Sequence, residues 1–343
     1  MTDSPLPFSK LCNIEDFASP DLAPVIRDVC SYKLSNFGAE FPRGAEHRKD
    51  WEVAMAVRAL DRFGALRPDA TVLGVAAGTE DTVFYLTRRV RQVFATDRYL
   101  SAGPWQPVAT VSMLLDPATV APTDFDPERL VVQHMDGRRL LYPADTFDGI
   151  FSSGSIEHFG DFYDVAAAAY EMGRVLKPGG VLSLSTEYRL AGPPGGIGWP
   201  GSTLLFSATD LQRFIVEASG LELVDELDHE VSEQTLATPR DISRVIDDRR
   251  SRQGLAPGAA VSDATGWDDR PHIVLLHEGY VFTSVHLTLR KTERYPWPAN
   301  AWAKPTAAMV EAIVGENREL LRAASVASPP PAPPPSPTWG AEG

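Results

Sequence analysis

Five short apolar runs constrain this chain more than any other feature. They are TVLGVAA (71–77), QVFATD (92–97), RLVVQHMD (129–136), TFDGIFSS (146–153) and GVLSLSTE (180–187). Each is rich in Val, Ile, Leu or Phe and largely apolar on both faces, as expected of parallel strands covered on both sides. Helical patterns lie between several of them, at DTVFYLTRRV (81–90) and DVAAAAYEMGRVL (164–176). A further helix is expected over 46–63, where Trp51, Ala54, Met55 and Arg58 recur at helical spacing and Gly64 follows as a stop. Strand–helix–strand alternation implies an α/β fold, a doubly wound sheet with helices on both faces. Downstream, SATDLQRFIVEASG (207–220) reads as a helix, with Ser207 or Thr209 as cap and Gly220 as stop. LELVDELD (221–228) and YVFTSVHLTLRK (280–291) read as strands, and 306–324 as an amphipathic helix.

Two stretches break the rhythm. Residues 99–127 carry Pro104, Pro107, Pro117, Pro122 and Pro127, and 230–275 are mostly polar. Both read as insertions. The expected organisation is a lead-in (1–45), a core domain (46–291) with insertions at 99–127 and 230–275, a helical extension (292–327) and a Pro-rich disordered tail (328–343). Cys12 and Cys30 lack the spacing of a zinc site and are too few for a disulfide scaffold. Reduced thiols of a cytoplasmic protein are the expectation. The N-terminal stretch does not read as a secretory signal, and no run approaches the roughly 20 apolar residues a bilayer span needs, so no membrane role is expected. With 46 acidic against 32 basic side chains, the formal net charge is −14. Such a field repels phosphates, so no nucleic acid partner is expected.

In doubly wound sheets, ligands bind outside the carboxyl ends of the strands, where strand order reverses. The residues just past the five runs are therefore the ones to inspect. They are Ala76–Ala77–Gly78–Thr79–Glu80, Asp97, Asp136, Ser152–Ser153–Gly154 and Glu187. A small, glycine-containing turn lets backbone approach a ligand and opens a helix whose N–H groups face it. An acid at the end of the second strand suits the two hydroxyls of a ribose, and Asp97 lies 19 residues beyond Gly78. These two features alone also fit a nicotinamide dinucleotide.

The later motifs separate the two cases. VLGVAAGTED, VFATDRY, HMDGRRLLYPADTFDGIFSSGSIEHF and EMGRVLKPGGVLSLSTE together resemble class I S-adenosylmethionine-dependent methyltransferases of the type 11 kind. The likeness covers about 50–190 and extends weakly to 290. It implies a Rossmann-like, seven-stranded, mostly parallel sheet and S-adenosyl-L-methionine as cofactor. One departure stands out: in the family's acid-x-Gly-x-Gly-x-Gly motif the acid position is Gly74, the first glycine Ala76 and the last Glu80, and only Gly78 is kept. Carried over residue by residue, the resemblance puts Gly74, Ala76 and Gly78 in the cofactor loop, with Glu80 as a substitute carboxylate. Asp97 falls on the ribose, Asp136 with Gly137 at the adenine, and Ser153 under the methionine portion. Asp148 is expected to tie the start of its strand to neighbouring backbone, outside the reaction.

Methyl transfer from a sulfonium is an in-line displacement in which the protein mainly aligns two atoms. A hydroxyl acceptor also sheds a proton, and a histidine suits that task near neutral pH. His158, just past the fourth run, is the expected catalytic base. Glu187 and Tyr188 are the expected substrate contacts, with the acceptor site drawn from 99–127, 188–202 and 230–275. The expected activity is methylation, on oxygen, of a small-molecule substrate or sugar-type acceptor, with the oligomeric state left open. Two alternatives stand beside it: a catalytically inactive methyltransferase-like binding protein, supported by the degenerate first motif, and a nicotinamide-dependent oxidoreductase. The second needs a Gly-x-Gly-x-x-Gly turn that the sequence lacks.

Overall fold

The apolar runs become strands where β-branched and aromatic side chains can be covered on both faces. The computed structural model describes residues 5–101, 108–198, 202–237, 239–252, 254, 256 and 270–296. The helix expected at 306–324 and the Pro-rich tail lie outside them. In chain order the strands are β1 (Lys10–Leu11), β2 (Thr71–Val75), β3 (Gln92–Asp97), β4 (Leu130–His134), β5 (Phe147–Ser153), β6 (Leu176–Ala191), β7 (Gly195–Ile197), β8 (Thr203–Leu205), β9 (Glu222–Leu223), β10 (Arg240–Asp241), β11 (Leu275–His277) and β12 (Tyr280–Arg290). The α-helices are α1 (Ala23–Val29), α2 (Leu34–Phe37), α3 (Arg48–Arg62), α4 (Asp81–Leu86), α5 (Ser112–Leu115), α6 (Phe162–Val175), α7 (Ala208–Leu211), α8 (Glu233–Leu236) and α9 (Ile242–Arg252). A π-helical stretch, Gln212–Glu217, continues α7. Among the described residues no helix is long and apolar enough to cross a membrane.

The main sheet runs β10-β11-β12-β6-β5-β2-β3-β4, with β1 and β9 also paired to β12. Strands β2 to β6 pair in parallel, and β12 is antiparallel to β6 with Glu187 opposite Ser284. Strand order reverses between β2 and β5. The Rossmann-like class is as expected, but the count is not: among the described residues the main sheet has ten strands rather than seven. The three additions, β1, β10 and β11, are two or three residues long. Segments that short carry no periodicity to read. The strand expected at 221–228 shrinks to Glu222–Leu223. Beyond it the Asp225 side chain turns aside to accept the Phe8 N–H at 2.6 Å.

Alternate strand residues feed two cores. Val72, Val93, Phe151 and Val181 pack with Trp51, Met55 and Leu60 of α3 and with Phe84 of α4. Leu73, Val75, Ile150, Leu182 and Leu184 pack with Val165, Ala168 and Met172 of α6 and with Leu211 and Ile215. The start of α6 is fixed by Asp161, whose side chain accepts from Tyr163 and Asp164 N–H, while Asp164 reaches back to the cap. Asp148 accepts the Thr71 N–H at 2.9 Å and pairs with Lys177 at 2.8 Å, tying β5 to β2 as expected.

Gly74, in the middle of β2, shows why the usual acid is missing. A Cβ there would lie 2.5 Å from the Phe151 ring and 2.8 Å from Ala77 Cβ. The space an acid would need belongs to an aromatic side chain of the next strand. Gly74→Asp should therefore destabilise the fold by about 1–3 kcal/mol through overpacking, with a buried carboxylate adding to the loss. Chemical denaturation checks this, and a variant with an unchanged midpoint would show that Phe151 moves aside freely.

Candidate active site

The strand-order reversal opens a cleft at the carboxyl ends of β2 and β5, where the chain turns sharply after Val75. Ala76 and Gly78 both take left-handed backbone, with φ of 51° and 47°. Gly78 has no room for a side chain, since a Cβ would lie 2.9 Å from the Val108 carbonyl oxygen. Neighbouring side chains hold the turn. Gly78 N–H donates to Asp97 Oδ2 at 2.9 Å, Tyr99 Oη donates to the Gly78 carbonyl at 3.0 Å, and Ser155 Oγ donates to the Ala76 carbonyl at 2.9 Å. The other oxygen of Asp97 accepts the Arg98 N–H at 2.6 Å. Burial raises the Asp97 pKa, opposed by these two N–H donors. The carboxylate is thereby fixed, and each oxygen keeps acceptor capacity.

Asp136 follows β4. Arg138 grips it through Nε at 3.0 Å and Nη2 at 2.7 Å, and also donates to Asp164. Burial pushes the Asp136 carboxyl up, but the Arg138 hydrogen bonds outweigh it and hold the pKa below the usual value. Gly137 lies under an aromatic ring, since a Cβ would meet Phe159 at 2.7 Å.

Glu80 turns its carboxyl to the end of β5, where Ser153 Oγ donates to Oε1 at 3.0 Å. Burial pushes its pKa up to about 7. Across the cleft, the Glu187 carboxylate is buried on β6 and Oε1 is held by Arg48 Nη1 of α3. Its Oε2 is buried without a hydrogen-bond partner among the described residues. His158 Nδ1 lies 3.2 Å from both the Ser202 carbonyl and Thr203 Oγ1, and Nε2 lies 3.7 Å from Glu157 Oε1. Burial pulls the His158 pKa down to about 3, so the imidazole is neutral across the ordinary pH range.

One cavity of about 720 Å3 gathers most of the expected residues: Ala76, Gly78, Glu80, Asp97, Asp136, Gly137, Ser153, His158 and Glu187 all line it. That volume is in the range of small-molecule sites. Gly74 does not line it, being packed under Phe151. Nor does Tyr188, because successive strand residues face opposite ways. Its hydroxyl lies 3.5 Å from His229 Nδ1 instead. The stretches expected to build the acceptor site contribute Ser101, Val108, Ile197, Ile242, His272 and Leu275. Arg48, Glu52 and Phe159 also line the cavity without having been expected there, and Lys49 of the same helix lines it too. The charged pattern Arg48–Lys49 with Glu52 one turn on was the available signal. A cradle with no space at Gly78, a fixed diacceptor at Asp97 and a cavity of this size fits an adenosine-bearing cofactor.

Residues 73–184 match the family model of the methyltransferase domain. A search of the curated proteins finds no significant match. Among solved structures, the YcgJ protein of Bacillus subtilis is 18% identical, with 69% of this chain and 99% of that one covered at a TM-score of 0.42. A putative sarcosine dimethylglycine methyltransferase from Galdieria sulphuraria is 14% identical, covering 71% and 85% at 0.44. A putative methyltransferase from Bacillus halodurans is 14% identical, covering 68% and 97% at 0.42. The match spans the cradle at the β2–β5 reversal and supports S-adenosylmethionine-dependent methyl transfer there.

Proposed function

We propose that the chain methylates a hydroxyl of a small-molecule or sugar-type acceptor. The observation that carries this reading is the convergence, on one cavity, of the Asp97-locked turn at Gly78 with His158 and Glu187. Asp97 receives the ribose hydroxyls, Ala76 and Gly78 bring backbone against the cofactor, and Asp136 accepts from the adenine amino group with Gly137 and Phe159 alongside. Glu80 and Ser153 face the methionine portion. Gly74 supports the loop by leaving space for Phe151 rather than by touching the ligand. When bound, the cofactor supplies an activated methyl group.

The protein's part is alignment and proton transfer. Asp97, Glu80 and Ser153 would hold the cofactor so that its methyl group is offered to the acceptor hydroxyl, with the thioether as leaving group. The hydroxyl proton passes to His158; burial keeps this imidazole neutral but makes it a weak base, so the proton leaves only as the oxygen is methylated and becomes acidic. Glu187 contacts the acceptor through Oε2. The −14 charge supports a small acceptor over a polyanionic one.

Two measurements test the reading. His158→Ala should lower kcat by about 10²–10⁴-fold, the usual contribution of a general base. S-adenosylhomocysteine affinity should stay within about twofold of wild type, because the side chain faces the acceptor and not the cofactor. Undiminished turnover would remove His158 from the reaction. The second concerns pH. A carboxyl with a pKa near 7 is largely neutral below pH 6 and charged above pH 8. S-adenosylhomocysteine affinity should therefore rise through about pH 7 as Glu80 gains its charge, and Glu80→Gln should flatten that rise. Calorimetric titration at several pH values measures it. A rise that persists in Glu80→Gln would assign it to another group.

A further inference from the structure

Lys49 stands on the first turn of α3, and its ammonium hangs over the carboxyl end of β5. A Cβ built on Gly154 would lie 1.9 Å from Lys49 Nζ and 2.8 Å from Glu52 Oε2. Gly154 also has a φ of +59°, so both space and backbone favour glycine there. Lys49 Nζ donates to Glu52 Oε2 at 2.9 Å, its one hydrogen bond among the described residues, although an ammonium carries three donors. Glu52 is shared with Arg48, at 3.3 Å, so its charge does not cancel that of Lys49 alone. The Lys49 side chain is 43% exposed and lines the cavity.

The other cations on the cavity wall are placed differently. Arg48 Nη1 bonds to Glu52, Glu187 and Ser284. Lys33 pairs with Asp50, and Arg138 with Asp136 and Asp164. Arg98 adjoins Asp97 at the ribose end. Lys49 alone of these stands over the Ser153–Gly154 pair, and on the Ser153 side lies Glu80. Two successive residues at the end of β5 are thus flanked by a carboxyl and an ammonium. That arrangement is the complement of an α-amino acid, whose ammonium and carboxylate leave the same carbon.

We propose that Lys49 binds the α-carboxylate of the cofactor's methionine portion, forming with Glu80 a two-sided cradle for its zwitterion. This rests on the cofactor cradle assigned above. It also accounts for the missing acid of the first motif: recognition of the amino-acid end moves from β2, where Phe151 fills the space, to Glu80 and to α3.

Calorimetric titration with two ligands tests this. S-Adenosylhomocysteine carries the amino-acid portion, and 5′-methylthioadenosine has the same nucleoside and thioether without it. Lys49→Met should weaken S-adenosylhomocysteine at least about tenfold and leave 5′-methylthioadenosine within about twofold, and Lys49→Arg should recover part of the loss. In wild type, added salt should weaken the first ligand more than the second, because a partly exposed charge pair is screened; Lys49→Met should remove that difference. Equal loss of both ligands would make Lys49 a structural residue, and no loss of either would also overturn the proposal. Wild-type protein that binds neither ligand would instead overturn the cradle assignment, and this inference with it.

Discussion

One buried guanidinium joins the parts on which the site depends. Arg48 reaches from α3 to Glu187 on β6 and Ser284 on β12, while also holding Glu52 on its own helix. Ser284 in turn donates to Glu52 Oε1, closing the network. Ion pairs of this kind owe little net stability to their charges, since desolvation offsets attraction, but removing one partner strands the others and costs about 3–5 kcal/mol. Their value here is geometric. In the register that α3 takes on the sheet, Arg48 Nη1 meets all three partners. That register sets Lys49 over β5 and turns Glu187 into the cavity.

The same helix has a second anchor at Trp51. Trp51 is fully buried, and its Nε1 donates to Asp16 at 2.8 Å, while Lys10 pairs with Asp16 at 2.6 Å. Lys10 lies on β1, paired to β12. The residues ahead of α3 are therefore threaded into the sheet through a polar network. His47 caps α3 and stacks on His272 at 4.4 Å, which brings the 270–277 segment to the cavity rim. The lead-in and the late insertion meet at the same helix end.

The cofactor half of the site was legible because its chemistry is local. Gly78 and Asp97 sit at the ends of adjacent parallel strands, so their separation in sequence is fixed by one crossover. Asp136 and Ser153 follow from the same strand-end rule. The acceptor half was not legible in that way. Glu187 and Arg48 are 139 residues apart and meet only because β6 and α3 pack together. Tyr188 beside Glu187 was misplaced for a simpler reason: two neighbours on a strand cannot both face one cavity. The extra strands β1, β10 and β11 were invisible because each is defined by its partner rather than by its own composition. Gly74 was legible as a departure but not as a packing solution, since Phe151 lies 77 positions away in the chain.

β6 is the element that makes a single site of these halves. On one edge it pairs in parallel with β5, whose carboxyl end carries Ser153 and Gly154. On the other it pairs antiparallel with β12, which leads through β11 to Leu275 and α9. The parallel half repeats a strand-end geometry suited to a nucleoside. The antiparallel half brings in Ile197, Ile242, Leu275 and Phe282, a separate apolar cluster beside the cavity. Glu187 stands at the seam, with one oxygen committed to Arg48 and the other buried without a partner among the described residues. A buried carboxylate oxygen without a donor is costly to maintain, and the cost falls when a ligand brings one. The seam is therefore where a bound ligand and the register of the helix bearing Lys49 would act on the same side chain.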